Sequence, residues 1–423
     1  MLSFLNNIIV ASIIKSAIII FALLTAFAYM TLIERRVVAR LQGRLGPNRA
    51  GPAGIFQPVA DAIKMAFKEQ IIPTQAKKFI YLIAPVISVV VALSAFAVIP
   101  IGREWTNHPS VWDPFIGDIN VGILWILSIS SLAVYGIVLG GWASGNRYSL
   151  LGSLRSAAQM VSYETSLGLA LSGALMWAGT LSMVGIVHQQ LNQGIWFIMA
   201  QPLGFVIYLI AAIAEVNRAP FDLPEAEQEL TAGYLTEYSG LRWSLYQMAE
   251  YINMITVSSI ATTFFLGGWS LFGLETLFPG FSIIIFLVKV ALFLFLFIWL
   301  RATLPRIRYD QLMRLGWQGL LPLAVLNVVI TAIVVSLGLP WWINFIADAI
   351  VIVAILVAVR NWSVRTGTRF AEIGPNKGTG KEQLILPATV RLVKFEKPAA
   401  QIEAAKEEIE AEGKVQSTEA VKA

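Results

Sequence analysis

The stretch from Asn217 to Tyr238 reads N-R-A-P-F-D-L-P-E-A-E-Q-E-L-T-A-G-Y-L-T-E-Y. It carries Asp222, Glu225, Glu227, Glu229 and Glu237 behind Arg218. Carboxylates this close repel one another, and any that lie away from water keep their protons to higher pH than a free carboxyl. Such a cluster takes up or releases protons when a neighbouring charge appears. A solvated acidic loop has the same composition, so the flanking segments decide between the two.

Those segments are apolar, of bilayer length, and carry acids of their own. Glu164 follows S-A-A-Q-M-V-S-Y, Glu250 follows S-L-Y-Q-M-A, and Glu215 closes a third apolar run. Lys289 sits inside a fourth. An ionisable group in a membrane span costs several kcal/mol unless it faces a cavity or a partner, so by default it marks a functional path. Lys289 has a plainer reading as well, a salt bridge with one of the glutamates that fixes helix packing. For Lys15 the simplest account is snorkelling to the outer interface.

The chain that must position these groups has 423 residues, 57% apolar and 13% charged, with a mean hydropathy of +0.70. Runs near ~20 apolar residues recur along it, which defines a polytopic all-α membrane protein. The sequence predicts about nine transmembrane helices, near 4–33, 79–101, 119–142, 157–187, 196–215, 244–272, 281–300, 316–339 and 341–359. The first is read as a retained span, since no basic region precedes it. Strand-like alternation is not evident, which argues against a barrel. The chain has no cysteine and two histidines, His108 and His188. Thiolate-held iron–sulfur clusters and cysteine zinc sites are thereby excluded from it, and a bis-histidine haem is disfavoured. No metal site is expected. Neither dinucleotide- nor nucleotide-binding glycine motifs occur.

Lysine and arginine set the orientation. Arg35, Arg36, Arg40, Arg44, Arg49, Lys64, Lys68, Lys77 and Lys78 follow the first span, and Arg147, Arg155, Arg218, Arg242, Arg301, Arg306, Arg308 and Arg314 fall on the same side. The positive-inside rule puts that side in the cytoplasm, with the N-terminus outside and the C-terminal tail inside. Residues 1–359 form the membrane domain on this reading. Residues 360–423 form a polar tail, with mixed charges at helical spacing over 401–412, that is solvated and a partner contact.

Between the first two spans, Glu34 to Glu69 opens E-R-R-V-V-A-R-L-Q-G-R-L-G-P-N-R-A-G-P-A-G. Its glycines and prolines predict tight turns. Ile55, Val59, Ile63 and Phe67 then recur at helical spacing, with Gln57, Asp61, Lys64 and Lys68 on another face. That pattern predicts a short interfacial amphipathic helix. Alone, it reads first as a peripheral anchor without chemistry. Together, these stretches suit a lipophilic ligand with a polar head that enters from the bilayer to meet Glu34, Arg35, Arg36, Asp61 and Lys64. A proton path would run onward through Glu215, Glu164 and Glu250.

Three runs carry a resemblance: G-R-L-G-P-N-R-A-G-P-A-G-I-F-Q-P-V-A-D-A-I-K, A-E-V-N-R-A-P-F-D-L-P-E-A-E-Q-E-L and W-L-R-A-T-L-P-R-I-R-Y-D-Q-L-M. Over roughly 1–359 the chain resembles the quinone-site membrane subunits of respiratory complex I. The resemblance implies a subunit beneath a peripheral arm, with flavin and iron–sulfur clusters on partner subunits only, and ubiquinone or menaquinone as substrate. Its expected partners are the peripheral-arm quinone-site subunits, the neighbouring membrane-arm subunits and membrane lipid, with no nucleic acid. It implies quinone-chamber roles for Glu34, Arg35, Arg36, Arg40, Asp61 and Lys64. It implies an acidic channel of Glu164, Glu215, Asp222, Glu225, Glu227, Glu229 and Glu250, with Arg218 and Lys289 among them. Some members carry a further acid on the third span, where this chain reads S-I-S-S-L-A-V, so a proton route there needs serine or water. The implied location is a bacterial plasma membrane. Rival expectations are the homologous membrane component of a proton-pumping [NiFe]-hydrogenase or of a ferredoxin- or F420H2-dependent complex, a stand-alone ion transporter, and a scaffold without chemistry.

Overall fold

Local chemistry sets the helix ends. The Asn146 side chain accepts the Tyr148 N–H at 2.9 Å and starts a helix over Arg147–Ala178. Gly179, at φ 63°, stops it in the left-handed conformation that glycine adopts without strain. The Ser182 hydroxyl accepts the Gly185 N–H at 3.1 Å and starts the next helix, Met183–Gln193. The two axes differ by 55°. The expected single span over 157–187 is therefore a longer helix followed by a bent second one, because two caps stand between them.

The structure is a computed structural model that describes residues 8–104, 113–222, 232–271 and 280–365. All regular structure among the described residues is helical. In chain order the helices are α1 (Ile8–Leu41), α2 (Gln57–Phe67), α3 (Lys78–Ala95), α4 (Gly122–Ala143), α5 (Arg147–Ala178), α6 (Met183–Gln193), α7 (Phe197–Ala200), α8 (Pro202–Glu215), α9 (Leu241–Phe265), α10 (Phe281–Thr303), α11 (Tyr309–Arg314), α12 (Leu321–Ser336) and α13 (Trp341–Arg365). A π-helical turn, Leu315–Leu320, joins α11 to α12. The chain divides into two units, Met1–Ile352 and Val353–Ala423. The expected polar tail beyond 365 lies outside the described residues.

Among the described residues, six helices qualify as membrane spans by length and apolarity, or seven if the bent α5–α6 pair counts as one. The expected nine is not reached by this measure, and α8 and α9 explain why. α8 has only 14 residues. α9 is among the most buried helices, and it carries Thr256, Ser258, Ser259, Thr262 and Thr263 fully or nearly fully buried. Each of these hydroxyls donates to the carbonyl four residues back, which satisfies it inside the bundle. A helix with no lipid face need not be apolar in composition.

α3 packs on α4, α4 on α5, and α5 on α8 and α12, while α9 crosses α3, α10 and α1. A tyrosine cluster pins the 233–240 segment to this frame. Tyr81 and Tyr238 stack at 4.3 Å, and Tyr246 meets Tyr238 and Tyr234 edge-on at 5.0 and 5.2 Å. Burial pushes the Tyr238 hydroxyl above the ordinary phenol range, so it stays a neutral donor to Gly140 O at 3.3 Å.

α1 has 34 residues, about 51 Å, against a hydrocarbon core of about 30 Å. Its surplus turns carry Glu34, Arg35, Arg36 and Arg40 on rigid helix rather than in a loop. α2 forms where the pattern predicted, and Val59, Ile63 and Phe67 are 53%, 54% and 88% exposed, an apolar face open to membrane or partner.

Candidate functional site

The site assembles where the end of α1, the turn after α8 and the start of α9 meet. Glu34 faces inward and is 5% exposed. It forms an ion pair with Arg301 at the end of α10, accepts the Tyr251 O–H at 2.6 Å, and lies 3.8 Å from the Arg218 guanidinium.

The turn after α8 delivers Arg218. Asn217 adopts φ 54°, a left-handed conformation that asparagine tolerates, and the Arg218 N–H reaches back to Ile213 O at 3.4 Å. This six-residue closure ends the helix and turns the arginine into the bundle. The Gln159 amide secures the turn by donating to both Ala214 O and Phe221 O at 2.8 Å. From there Arg218 also lies 3.8 Å from Glu250, and its guanidinium sits 4.2 Å from the Tyr251 ring centre. The Tyr234 hydroxyl donates to Glu250 at 3.0 Å. Arg301, Glu34, Arg218, Glu250 and Tyr234 thus form one unbroken chain of polar contacts.

A cavity of about 700 Å³ opens on the Glu34 end of this chain. Glu34, Arg35, Arg44, Arg218 and Arg301 supply its charge, and Trp243, Gln247, Tyr251, Val38 and Leu45 are among its other lining residues. Charged groups together with apolar and aromatic surface suit an amphiphilic ring with a hydrophobic tail.

The other end runs deeper. Glu215 closes α8 and shares with Glu250, Asn217, Tyr234 and Asn253 the lining of a void of about 20 Å³. That volume admits one water molecule, which would bridge the two carboxylates. A second void of about 40 Å³ holds Glu215 and Ser130, and Ser130 lies within hydrogen-bonding reach of Glu215. The neighbouring Ser131 hydroxyl donates to Glu164. The serines of S-I-S-S-L-A-V therefore stand beside Glu215 and Glu164. Serine can accept and donate a proton in one exchange, whereas alanine or leucine would break the line.

Of the expected chamber residues, Glu34 and Arg35 line the cavity. Asp61 stands behind Arg35, paired at 2.7 Å, with Gln57 donating to it at 3.1 Å and Lys64 at 3.8 Å. The Arg36 guanidinium donates to Pro47 O at 3.4 Å and holds the glycine-rich loop against α1. Arg40 is exposed. Of the expected channel residues, Glu164, Glu215, Glu250 and Arg218 are brought together as described. Asp222 is half-buried at the end of the Arg218 turn, while Glu225, Glu227 and Glu229 lie outside the described residues.

Lys289 is placed elsewhere. Its ammonium donates to Leu266 O, Gly268 O and Ser270 O at 2.5, 3.0 and 2.5 Å, at the far end of α9 from Glu250. Sixteen residues of helix put about 24 Å between Glu250 and Leu266. Lys15 donates to Phe115 O at 2.8 Å, on the segment between α3 and α4.

Sequence reasoning missed Arg301 as a site residue, along with Tyr251, Tyr234 and the individual serine contacts. Arg301 reads as one of four topology arginines beside Asp310. Tyr251 is adjacent to Glu250 in sequence, and that adjacency was the available signal.

Comparison with known proteins bears on the same region. A family model described as NADH dehydrogenase matches residues 14–332. NADH-quinone oxidoreductase subunit 8 of Thermus thermophilus is 53% identical over 326 residues, covering 77% of this chain and 87% of that protein. An NADH-quinone oxidoreductase subunit of Deinococcus deserti is 48% identical over 374 residues, covering 86% and 95%. An NADH-quinone oxidoreductase subunit of Protochlamydia amoebophila is 53% identical over 309 residues, covering 73% and 92%.

Proposed function

We propose, from the premise that this chain belongs to the NADH dehydrogenase family and is a membrane subunit of NADH-quinone oxidoreductase, that its large cavity admits a quinone head and that its acidic seam senses the reduction. The observation that carries the reading is the unbroken contact from Arg301 through Glu34 and Arg218 to Glu250, which starts at the cavity wall and ends in the bundle.

Reduction of a quinone to a quinol takes two electrons and two protons. The electrons come from partner subunits that carry the redox centres. This chain's residues hold the head and meet the change in charge. Arg35 and Arg301 offer donors to the quinone oxygens, and Trp243 and Val38 offer surface to the ring and tail. Negative charge arriving near Arg301 competes for the cation that now serves Glu34. Glu34 then draws more strongly on Arg218, and Glu250 loses part of its own partner. At 3.8 Å and an effective dielectric constant of 20, each such pair is worth about 4 kcal/mol. Redistribution of that interaction supplies the few kcal/mol needed to bias a conformational step in a neighbouring subunit. Glu215, Glu164 and the two serines extend the response into the membrane.

The chain sits multi-pass in the plasma membrane of a bacterium, with the N-terminus outside and the tail cytoplasmic by its lysine and arginine bias. Its partners are other subunits of the complex. A photoreactive quinone irradiated in the intact complex tests the chamber. Label on Val38, Leu45, Trp243 or Gln247, displaced by unlabelled quinone, supports it. Displaceable label confined to other surfaces removes the cavity from the quinone's path. Quinone reductase activity in the isolated complex also separates this reading from a hydrogenase-type or ferredoxin-linked relative.

A further inference from the structure

A second polar cluster lies at the opposite end of α8 from Glu215, where the chain breaks between α7 and α8. Gln201, Asn327, Thr331, Asn344 and Asp348 are each 0% exposed. They come from the break itself, from α12 and from the first half of α13. The Gln201 amide donates to the Thr331 hydroxyl at 2.7 Å, and that hydroxyl donates to Asn327 O at 2.8 Å. Asn344 donates to Ala200 O at 2.6 Å. Asp348 is one helical turn beyond Asn344 and lies against the Leu203 N–H in the first turn of α8. Gly173 and Gly204 make room: a methyl group on Gly173 would sit 2.6 Å from Gln201 Oε1, and one on Gly204 would sit 3.1 Å from Asn327 Nδ2.

The hydrogen-bond inventory of the cluster is lopsided. Gln201 Oε1, Asn327 Oδ1, Asn344 Oδ1 and both Asp348 carboxyl oxygens are buried without a full hydrogen bond, against a single such donor, Asn327 Nδ2. Turning over the Asn327 amide leaves that balance unchanged. The Gln201 and Asn344 amides are fixed by their own acceptors. A surplus of buried acceptors needs hydrogens or a cation to be stable. No charged side chain among the described residues acts on Asp348. α12 and the 341–352 half of α13 carry no other ionisable group. On α8 the ionisable groups are Tyr208 and Glu215, and on α5 they are Arg147, Tyr148, Arg155, Tyr163 and Glu164. Glu215 lies twelve residues, about 18 Å, along α8 from Leu203.

We propose that Asp348 is a second buried proton-binding site, whose neutral carboxyl group gives its one hydrogen to an amide oxygen beside the α7–α8 break. An unpaired charge at such a place costs far more than a neutral acid. α8 then carries a protonatable group at each end: the acidic seam at its C-terminus and Asp348 at its N-terminus. The family model ends at residue 332, before the helix that brings Asp348.

The test compares the intact complex with an Asp348→Asn variant by infrared difference spectroscopy at neutral pH in sodium-free buffer. The expected difference is the loss of one protonated-carboxyl carbonyl band that shifts in D2O. Loss of carboxylate bands instead overturns the proposal. The same comparison in sodium chloride and in choline chloride distinguishes the occupant: a protonated band in both supports a proton site, and a carboxylate seen in sodium alone replaces the proton with a sodium ion and overturns the assignment. Should the variant fail to assemble, a hydrophobic carbodiimide applied to the unaltered complex gives the second reading. Modification of Asp348 that slows as pH rises supports the proposal. Its absence under conditions that modify Glu215 or Glu250 overturns it.

Discussion

Replacing Arg218 with glutamine removes a cation that faces both Glu34 and Glu250. The arginine is 6% exposed and lies 3.8 Å from each carboxylate. The two losses are unequal. Glu34 keeps its ion pair with Arg301 and the Tyr251 hydrogen bond, whereas Glu250 keeps the Tyr234 hydrogen bond and loses its ion pair with Arg218. Breaking one buried pair by removing a single partner costs about 3–5 kcal/mol. At about 1.4 kcal/mol per factor of ten, that corresponds to roughly a hundred- to several-thousand-fold loss if the whole cost falls on the turnover step. Arg218→Lys keeps the charge but not the fork that spans two carboxylates, so it recovers part of the loss. The assay is NADH:quinone turnover in membranes, normalised to assembled complex, alongside proton uptake by vesicles. Turnover and pumping within about two-fold of normal in assembled Arg218→Gln complex would refute the reasoning, since the seam would then survive the loss of its central contact.

Other outcomes follow from single contacts. Ser131→Ala removes a hydrogen bond to Glu164 worth about 1.5–3 kcal/mol, so proton translocation per NADH should fall while quinone reduction in uncoupled membranes stays near normal. Gly152→Ala would place a methyl group 2.5 Å from Gly233 Cα and shift the turn that carries Tyr234. Assembled complex should drop, with overpacking of about 1–3 kcal/mol, as measured by native-gel yield. Lys289→Met removes three hydrogen bonds at the end of α9. It should lower the thermal midpoint of the complex and leave the proton-to-electron ratio unchanged, whereas a changed ratio would return Lys289 to the path.

The membrane class and the amphipathic α2 were legible because both rest on periodicity and length, which a sequence carries directly. Span boundaries were less so. The Gly179 stop and the Ser182 cap split one apolar run into two helices, and the span expected over 244–272 forms as α9 over Leu241–Phe265, its buried hydroxyls satisfied by its own backbone. Acids inside apolar runs singled out Glu164, Glu215 and Glu250, which the fold gathers around the end of α8. Their partners were not legible, since Arg301 meets Glu34 across 267 residues of sequence and its composition-level role as a topology signal is equally true. Lys289 shows the reverse: an intramembrane charge that caps carbonyls at the far end of α9. Its position in the chain gave no sign of which helix end it would meet.

The most direct test of the coupling seam is the number of protons translocated per NADH oxidised by the complex in sealed liposomes, measured for Glu250→Gln and Glu215→Gln variants that assemble normally. The account predicts a lower ratio in both, with quinone still reduced when the membrane is uncoupled. An unchanged ratio in both variants would contradict it.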